Sequence, residues 1–360
     1  MFLIVIVLFY SCKEKTTSNT TFYKSSNSAF NYQGRTEIIK DSCKVLISSA
    51  ASVEFFAKGN TINLLLQSGN NTHNYAVITL NGKYLNRYKI SSDSITKIFL
   101  ELPIDKTNKI GVFKATEAAS GDLFFYGVEA EEINPIINDR KYFIEFIGDS
   151  VTCGAAADTS DVPCNAGEYL DQHNAYLAFG PRVARDLNLN FMLSSVSGIG
   201  IYRNWNDENI EEPIMPQVYE NLYLNLDDSK KYDFSIKPDI VNICLGTNDL
   251  SYGDGVKPRL LFNREKFVEN YISFVEIVYS YYPNTKIVLM NSPMIGGKTN
   301  LLLMDCLKEV QNFYAEKNKS IQLFELDSVY NNGCTTHPNI NEHEAIAQKL
   351  APFYENILNN

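Results

Sequence analysis

The stretch YFIEFIGDS at residues 142–150 joins an apolar run, Tyr142–Ile147, to the turn Gly148-Asp149-Ser150. Glycine lets the chain turn sharply, and a serine directly after the turn has its hydroxyl above the sheet near a helix N-terminus, where an anionic intermediate is favoured. We therefore expect Ser150 to be a nucleophile. A G-D-S triplet by itself often only caps a helix. It also differs from the G-x-S-x-G elbow, because Thr152 stands at the last glycine position, which disfavours the α/β-hydrolase fold.

Alternating strand and helix patterns follow this run to the C-terminus. Four further apolar runs predict buried strands, at Asn190–Ser194, Ile240–Leu245, Lys286–Met290 and Ile321–Phe324. Helices are predicted at about 174–186, 264–281 and 301–318, and in a last segment where Asn341 and Glu344 form a capping box. The predicted fold class is α/β, a three-layer, doubly wound, flavodoxin-like parallel sheet with its site at the carboxyl ends of the strands.

The residues before this sheet have a different pattern. Short β-rich runs, separated by clusters of Gly, Asn, Asp and Ser, fill residues 30–132 without a helical period. The runs are Lys44–Ile47, Ser52–Ala57, Thr61–Gln67, Tyr75–Leu80, Ile95–Leu100, Lys109–Lys114 and Asp122–Ala130. This pattern predicts an all-β sandwich, jelly-roll-like, over residues 29–133. We expect a linker at 134–141 and the α/β domain at 142–360.

The first residues have the pattern of an export signal. Phe2–Phe9 is wholly apolar, is too short to span a bilayer as a helix, and is followed closely by Cys12. We predict a lipoprotein-type signal peptide at 1–12, lipidation of Cys12, a polar tether at 13–28, and an exported bacterial lipoprotein in the periplasm or at the cell surface. No Lys or Arg precedes the apolar run, and the alternative is a buried N-terminal strand.

Composition and charge exclude several classes of function. Of the 360 residues, 45% are hydrophobic and 21% are charged, which is ordinary for globular proteins and excludes a disordered chain. The net charge of −10 repels phosphate backbones and anionic lipid, so we expect no nucleic-acid partner and membrane contact only through a lipid anchor. Seven cysteines without a C-x-x-C, and four histidines, lead us to predict no metal and no cofactor. Cys153 and Cys164 flank a short loop, and they either pair or are buried thiols.

Two other strand ends carry polar groups suited to an oxyanion. Ile240–Leu245 is followed by Gly246-Thr247-Asn248-Asp249, where the Asn248 amide can donate to developing negative charge. The strand at 190–194 is followed by SVSGIG, residues 195–200, where Gly198 or Gly200 offers a backbone N–H for the same purpose. We expect Asp149 and Asp249 to cap backbone N–H groups rather than to act as acids.

A nucleophilic serine needs a base, and the chain offers four histidines. His337 lies in a loop just before the last helix, and Pro338 fixes the turn that follows it, so His337 is the expected base. His73 falls in the β-rich part, whereas His173 and His343 fall near helix starts, where solvent or the helix dipole is the expected neighbour. Trp205, just past Gly200, is either a sugar platform or a packed core residue.

The ordered set Gly148-Asp149-Ser150, Gly198 or Gly200, Asn248 and His337-Pro338 resembles the SGNH (GDSL-type) hydrolases, from about residue 141 to the C-terminus. The region in front is similar to the N-terminal jelly roll of carbohydrate esterase family 2, on Tyr32-x-Gly34-Arg35-Thr36, Lys114-x-Thr116-Glu117 and residues 144–150. The resemblance implies an acetylxylan esterase-like deacetylation of O-acetylated xylan, mannan or their oligosaccharides, without a cofactor. It implies a Ser150–His337 pair, with Ser150, Gly198 (alternatively Gly200) and Asn248 forming the oxyanion hole.

One departure concerns the group that orients His337. Many SGNH hydrolases have Asp three residues before the histidine, where this chain has Cys334, and relatives in the esterase family often have Asp at the position of Thr335. A backbone carbonyl near Cys334, or less favourably Asp327, would then be the third member. Two other functions stay open at this point: a surface glycan-binding lipoprotein with reduced or lost activity, and a lipase or thioesterase.

Overall fold

The N-terminal part of the chain is an all-β domain. In the computed structural model, which describes residues 20–39, 43–104 and 106–359, this domain contains ten antiparallel strands within those ranges. They are β1 (Thr21–Lys24), β2 (Asn31–Gln33), β3 (Thr36–Ile39), β4 (Cys43–Leu46), β5 (Ser52–Ser68), β6 (His73–Leu80), β7 (Lys83–Ser91), β8 (Thr96–Glu101), β9 (Asn108–Lys114) and β10 (Leu123–Asn134). The predicted all-β architecture is confirmed, and buried aliphatic and aromatic side chains fill its interior.

The long strand β5 organises this domain. Two predicted strands, Ser52–Ala57 and Thr61–Gln67, are one continuous strand of 17 residues that passes through Gly59. The glycine allows this because its φ of +116° lies in the left-handed region. The first half of β5 pairs with β2 and β9, and the second half pairs with β8 and β10.

The second domain contains a parallel sheet. Its five strands are β11 (Phe143–Gly148), β12 (Asn190–Ser195), β13 (Ile240–Cys244), β14 (Lys286–Met290) and β15 (Ile321–Phe324). Its helices within the described ranges are α1 (Ser150–Cys153), α2 (Phe179–Asp186), α3 (Met215–Val218), α4 (Arg264–Tyr281), α5 (Gly297–Glu316) and α6 (Ile340–Asn359). The strand order β12-β11-β13-β14-β15 is the flavodoxin-like order, which confirms the predicted doubly wound sheet.

Alternate residues of these strands enter two different cores. Ile147, Val241 and Ile287 pack with residues of α4 and α5, whereas Phe146 and Val288 pack with residues of α2 and α6. Both faces of the sheet are therefore covered, which explains why the strands are mostly apolar in the sequence. The carboxyl edge of the sheet stays open for a site.

A buried arginine joins the two domains. Arg35, between β2 and β3, is fully buried and donates hydrogen bonds to the Ser194 hydroxyl of β12 and to the carbonyls of Tyr219 and Asn221. A buried guanidinium is stable only when its donors are satisfied, so these bonds fix the β domain against the parallel sheet.

Helix starts and the N-terminal tether differ from the prediction. Asn339 and Glu342 form the capping box of α6: the Asn341 and Glu342 N–H groups donate to Asn339 Oδ1, and the Asn339 N–H donates to Glu342 Oε2. The predicted box at Asn341 and Glu344 is therefore wrong by two residues.

The predicted polar tether at 13–28 is also too long, because β1 (Thr21–Lys24) lies within it and already pairs with β10.

The predicted signal peptide at 1–12, including Cys12, lies outside the described residues. Among the helices that the structure describes, not one combines the length and the apolar character needed to cross a membrane.

Candidate active site

Three neighbouring strand ends and one loop enclose a cavity of about 640 Å³. Ser150 follows β11, Gly198 follows β12 and Asn248 follows β13, and all three line the cavity. His337, in the loop that precedes α6, lines the same cavity. The structure thus brings together four residues that the sequence singled out from widely separated segments.

Ser150 and His337 are in hydrogen-bond contact. The His337 Nε2 atom lies 2.8 Å from the Ser150 Oγ atom. Ser150 is the first residue of α1, and Asp149 caps that helix by accepting from the Val151 N–H at 3.1 Å. A side chain at Gly148 would collide with Thr152 Oγ1 and the Cys244 carbonyl, which explains why glycine precedes this turn. The predicted structural role of Asp149 therefore fits its contacts.

The other ring nitrogen of His337 faces Thr335. His337 Nδ1 lies 3.1 Å from the Thr335 carbonyl oxygen and 3.0 Å from the Thr335 hydroxyl. A carbonyl can only accept, so we place the proton on Nδ1, which leaves Nε2 free to accept from the Ser150 hydroxyl. Burial lowers the pKa of His337, with His173 adding to this effect and hydrogen bonds from the ring to the backbone of Thr335 and Cys334 opposing it. The imidazole is therefore favoured as a neutral base.

Asp327, the less favoured candidate for the third member, lies away from His337. Its side chain is exposed and pairs with the Lys349 ammonium at 2.6 Å, on the surface and without contact to His337. The favoured candidate, a backbone carbonyl near Cys334, corresponds to the Thr335 carbonyl one residue further along.

The loop that carries His337 is held by a disulfide. Cys334 is bonded to Cys164, which rules out a pairing of Cys153 with Cys164; of the two open alternatives, Cys153 is the buried free thiol. Thr335 and Thr336 have φ values of +50° and +59°, a conformation that costs energy in residues with a Cβ. The Cys334 N–H also donates to the Ala156 carbonyl at 3.0 Å. These contacts hold an otherwise unfavourable backbone in place.

Gly198 and Gly200 are distinguishable in the structure. The Gly200 N–H donates to Asn204 Oδ1 at 3.0 Å, so it is already occupied. Gly198 has φ +77° and lines the cavity, and no acceptor for its N–H is found among the described residues. The geometry favours Gly198 as the backbone donor.

Asn248 presents its amide beside this donor. Its Nδ2 atom donates to the Ile199 carbonyl at 2.8 Å and makes a longer contact of 3.3 Å with Asp149 Oδ2. The shorter bond orients the Asn248 amide. The other amide hydrogen makes the longer and weaker contact with Asp149, so it can instead be donated to an incoming oxygen.

Two buried carboxylates support the strand ends. Burial raises the pKa of both Asp149 and Asp249 to about 6. Asp249 accepts from the backbone N–H groups of Ile201, Tyr202 and Arg203, which fixes the loop after Gly200. Its contacts are those of a backbone cap, as the sequence analysis expected.

Aromatic and charged side chains surround the mouth of the cavity. Trp205 is 47% exposed and Tyr169 is 45% exposed, and both line the cavity, as do Glu212 and Lys257. Trp205 is therefore at the rim rather than in the core. Tyr169 was not predicted as a site residue, because nothing in its own segment distinguishes it from a core tyrosine.

The other histidines lie outside the cavity lining. His343 is fully buried and its Nδ1 accepts from the N–H of Phe179, the first residue of α2, at 3.3 Å, so solvent is ruled out as its neighbour. His173 is also buried, 3.4 Å from Glu117 Oε1. Across residues 20–39, 43–104 and 106–359, no three His, Cys, Asp or Glu side chains are grouped so that they could hold a metal ion.

Two family models match the chain in the order of its domains. The model "Carbohydrate esterase 2 N-terminal" matches residues 32–138, and the model "GDSL-like Lipase/Acylhydrolase" matches residues 144–350. Among curated proteins, an acetylxylan esterase / glucomannan deacetylase of Cellvibrio japonicus is 28% identical over 252 residues, 68% of each chain. Cellulase/esterase CelE of Acetivibrio thermocellus is 25% identical over 91% of this chain. The match covers only 39% of CelE.

A solved structure has the same two-domain fold. The family two carbohydrate esterase from Clostridium thermocellum, in complex with cellohexaose, superposes with a TM-score of 0.81 at 24% identity. The match covers 92% of this chain and 99% of that chain. At 24% identity, this similarity establishes the fold alone: a β domain followed in the chain by a domain with a parallel sheet.

Proposed function

Because the chain belongs to the GDSL-like lipase/acylhydrolase family, it is a carboxylic ester hydrolase, and we propose that it removes O-acetyl groups from xylan- or mannan-type polysaccharides or their oligosaccharides. The observation that carries the proposal is the 2.8 Å contact between Ser150 Oγ and His337 Nε2 in a cavity that also holds Gly198 and Asn248. The carbohydrate part of the proposal is supported by the match of residues 32–138 and by the curated relatives.

The first half of the reaction forms an acyl-enzyme. Ser150 Oγ attacks the acetyl carbonyl carbon while its proton passes to His337 Nε2. The C=O bond becomes a single bond to an oxyanion, which then collapses and expels the sugar oxygen. The imidazolium of His337 returns its proton to that oxygen, so the sugar leaves as a neutral hydroxyl.

The oxyanion is stabilised by three donors. The Gly198 N–H and the Ser150 N–H are backbone donors, and Asn248 Nδ2 gives up its longer contact with Asp149 to bind the same oxygen. These groups are fixed before substrate arrives, so little reorganisation opposes the transition state.

The second half of the reaction regenerates the enzyme. His337 takes a proton from water, and the hydroxide oxygen attacks the acetyl-Ser150 carbonyl. As the second tetrahedral intermediate collapses, the bond from the acyl carbon to Ser150 Oγ breaks and the His337 imidazolium returns its proton to that oxygen. Acetic acid leaves and ionises to acetate. The Thr335 carbonyl keeps the proton on Nδ1 through both halves, so the reaction proceeds with a Ser–His pair.

The cavity mouth fits a sugar. The half-exposed rings of Trp205 and Tyr169 offer apolar faces on which a pyranose ring can stack, with the acetyl group directed toward Ser150. An aromatic rim of this kind can bind a sugar chain at the mouth of the cavity. A deacetylase that acts on a polymer needs such a site.

We further propose that the protein is exported and anchored by lipid on Cys12. The Cys164–Cys334 disulfide supports export, since structural disulfides persist in oxidising compartments. Expression with a radioactive fatty acid tests the anchor: label on the wild type but not on Cys12→Ser supports it, and equal or absent label on both refutes it.

Acetate release tests the activity. Acetylated xylan and acetylated glucomannan are incubated with the wild-type chain, with Ser150→Ala and with Ser328→Ala, a surface serine that serves as control. We expect release by the wild type and by Ser328→Ala, and a loss of roughly a thousandfold or more for Ser150→Ala. Equal release by the wild type and Ser150→Ala, or none from any acetylated glycan, refutes the proposal.

A further inference from the structure

A carboxylate from the β domain reaches the loop that holds Gly198. Glu117 follows β9, yet its side chain is buried beside the catalytic domain and only 3% of the residue is exposed. Its Oε2 atom accepts from the Ser197 N–H at 2.6 Å and lies 3.5 Å from the Cys153 thiol. The other oxygen, Oε1, lies 3.4 Å from His173 Nε2.

His173 donates to Glu117 rather than accepting from solvent. Its Nδ1 atom is buried and has no hydrogen-bond partner in the described structure. A buried N–H without an acceptor is costly, so the ring proton belongs on Nε2, where Glu117 Oε1 receives it. The carboxylate thus accepts from two N–H groups of the catalytic domain, and these bonds outweigh the burial that would raise its pKa and leave that pKa below the ordinary value.

The segment that carries Glu117 is itself fixed. The Lys114 ammonium, fully buried, donates to the carbonyls of Ile47 and Glu117 at 2.6 and 2.7 Å. The Thr116 hydroxyl donates to the Asn74 side chain. A carboxylate on such an anchored turn can set the position of the group that it binds.

The bound group is the peptide next to the oxyanion donor. Glu117 holds the Ser197 N–H on one side of Gly198, and the Trp205 N–H holds the Gly198 carbonyl at 2.9 Å on the other. With both flanking contacts made, Gly198 adopts a φ of +77°, and its N–H lies at the cavity. Of the two contacts, the one to Glu117 comes from the other domain.

We propose that Glu117 is a positioning residue of the oxyanion hole, and that the β domain thereby completes the active site of the catalytic domain. Glu117 acts through Ser197 and Gly198 and does not touch substrate. The inference rests on the proposed function, because an oxyanion hole matters only if Ser150 attacks an ester. Without the Glu117 carboxylate, the Ser197 peptide can rotate. The Gly198 N–H then no longer points at the oxyanion position.

The test compares Glu117→Ala and Glu117→Gln in the full chain with Glu145→Gln as control. Glu145 is an equally buried carboxylate near the domain boundary that accepts from the Ser194 and Tyr219 hydroxyls and lies outside the cavity lining. We measure kcat and KM for 4-nitrophenyl acetate, the Tm, and the inhibition constant of phenylboronic acid. This inhibitor bonds to the Ser150 oxygen while the hydroxyl proton passes to His337, which gives a tetrahedral boronate that occupies the oxyanion position.

For Glu117→Ala we expect kcat to fall by roughly tenfold to a hundredfold with little change in KM, and boronate affinity to fall by a similar factor. Glu117→Gln keeps one acceptor oxygen and should lie between Ala and the wild type. Glu145→Gln should lower the Tm but leave kcat and boronate affinity near wild type.

Unchanged kcat and boronate affinity in Glu117→Gln and Glu117→Ala would overturn the positioning role, as would a fall in kcat without a matching fall in boronate affinity. If Glu117→Ala does not fold, the same readings on Glu117→Gln decide. A wild-type chain that hydrolyses no ester is a different result, because it refutes the proposed function before Glu117 is considered.

Discussion

Cys334, which stands three residues before His337, is covalently bonded to Cys164, 170 residues earlier in the chain. The bond ties the His337 loop to the segment between α1 and α2. The chain therefore has a cross-link at the position where many SGNH hydrolases have an aspartate. A covalent tie cannot tune the imidazole, but it can keep the imidazole within reach of the serine.

Removal of this disulfide should lower both stability and activity. For the double variant Cys164→Ser/Cys334→Ser we expect a lower Tm, because a cross-link over a long loop contributes about 2–4 kcal/mol. We also expect kcat to fall several-fold as the left-handed residues Thr335 and Thr336 relax. The half-buried free cysteine Cys43 gives the control variant Cys43→Ser, which should keep both values. A double variant with wild-type kcat at a temperature where it is folded would contradict this.

A carboxylate introduced at residue 335 should change the pH profile. In Thr335→Asp, a negative charge beside His337 Nδ1 favours the imidazolium and raises its pKa. The neutral base is then lost at a higher pH, so the acid limb of kcat/KM should move to higher pH. Aspartate and asparagine both tolerate positive φ, so Thr335→Asn is the uncharged control and should leave the limb in place. Identical limbs in the two variants would rule out the expected contact with Nδ1.

In the wild type, His337 should stay neutral to a pH below its ordinary pKa. Burial disfavours the imidazolium and lowers the pKa, so protonation, and with it loss of the base, occurs only as the pH falls through this lowered value. Burial raises the pKa values of Asp149 and Asp249 to about 6, so these carboxyl groups also titrate below the ordinary histidine pKa and an activity profile alone is ambiguous. NMR titration of ¹⁵N-labelled histidine, with His337→Gln to assign the signal, measures the group directly. A midpoint at or above roughly 6.5 would contradict the prediction.

Loss of the Asn248 amide should reduce turnover more than binding. Asn248→Ala removes a donor that acts mainly on the developing oxyanion, so we expect kcat to fall by roughly a hundredfold to a thousandfold while KM changes little. Asn206, which lies at the cavity rim and bonds to Asp254, gives the control Asn206→Ala. An Asn248→Ala variant that raises KM and leaves kcat intact would place this amide in ground-state binding instead.

The parallel sheet was predictable because its strands are buried on both faces. Each of the five strands is mostly apolar, and α4 coincides with the predicted helix at 264–281. Strand β7 was missed for the opposite reason: it lies at the end of its sheet and bears many exposed polar residues, so it has no apolar run to detect. Hydrophobic patterning in a sequence reflects burial. Exposed edge strands therefore show little hydrophobic patterning.

The members of the site were predictable one by one, but their supports were not. Ser150 and Asn248 follow apolar strands, and His337 precedes a helix, so local sequence marks each of them. The partner of Cys164 and the bonds of Glu117 depend on contacts across 170 and 80 residues of chain. No local pattern encodes such a distance, which is why the pairing of Cys164 stayed open and a role for Glu117 was not predicted.

The two glycines after β12 should respond differently to a methyl group. At Gly200, a Cβ would lie 2.0 Å from the Arg203 carbonyl oxygen and 2.7 Å from Asp249, so Gly200→Ala must displace the backbone and should lower the Tm strongly. At Gly198, the nearest atom is 4.0 Å away, so the side chain has room, and the cost is the positive φ, about 1–2 kcal/mol. Gly198→Ala should therefore fold. Because relief of that strain turns the N–H away from the oxyanion, we expect its kcat to fall roughly tenfold and its phenylboronic acid affinity to fall in parallel. A folded Gly198→Ala with wild-type kcat and inhibitor affinity would remove Gly198 from the oxyanion hole, and would leave Asn248 and the Ser150 N–H as its donors.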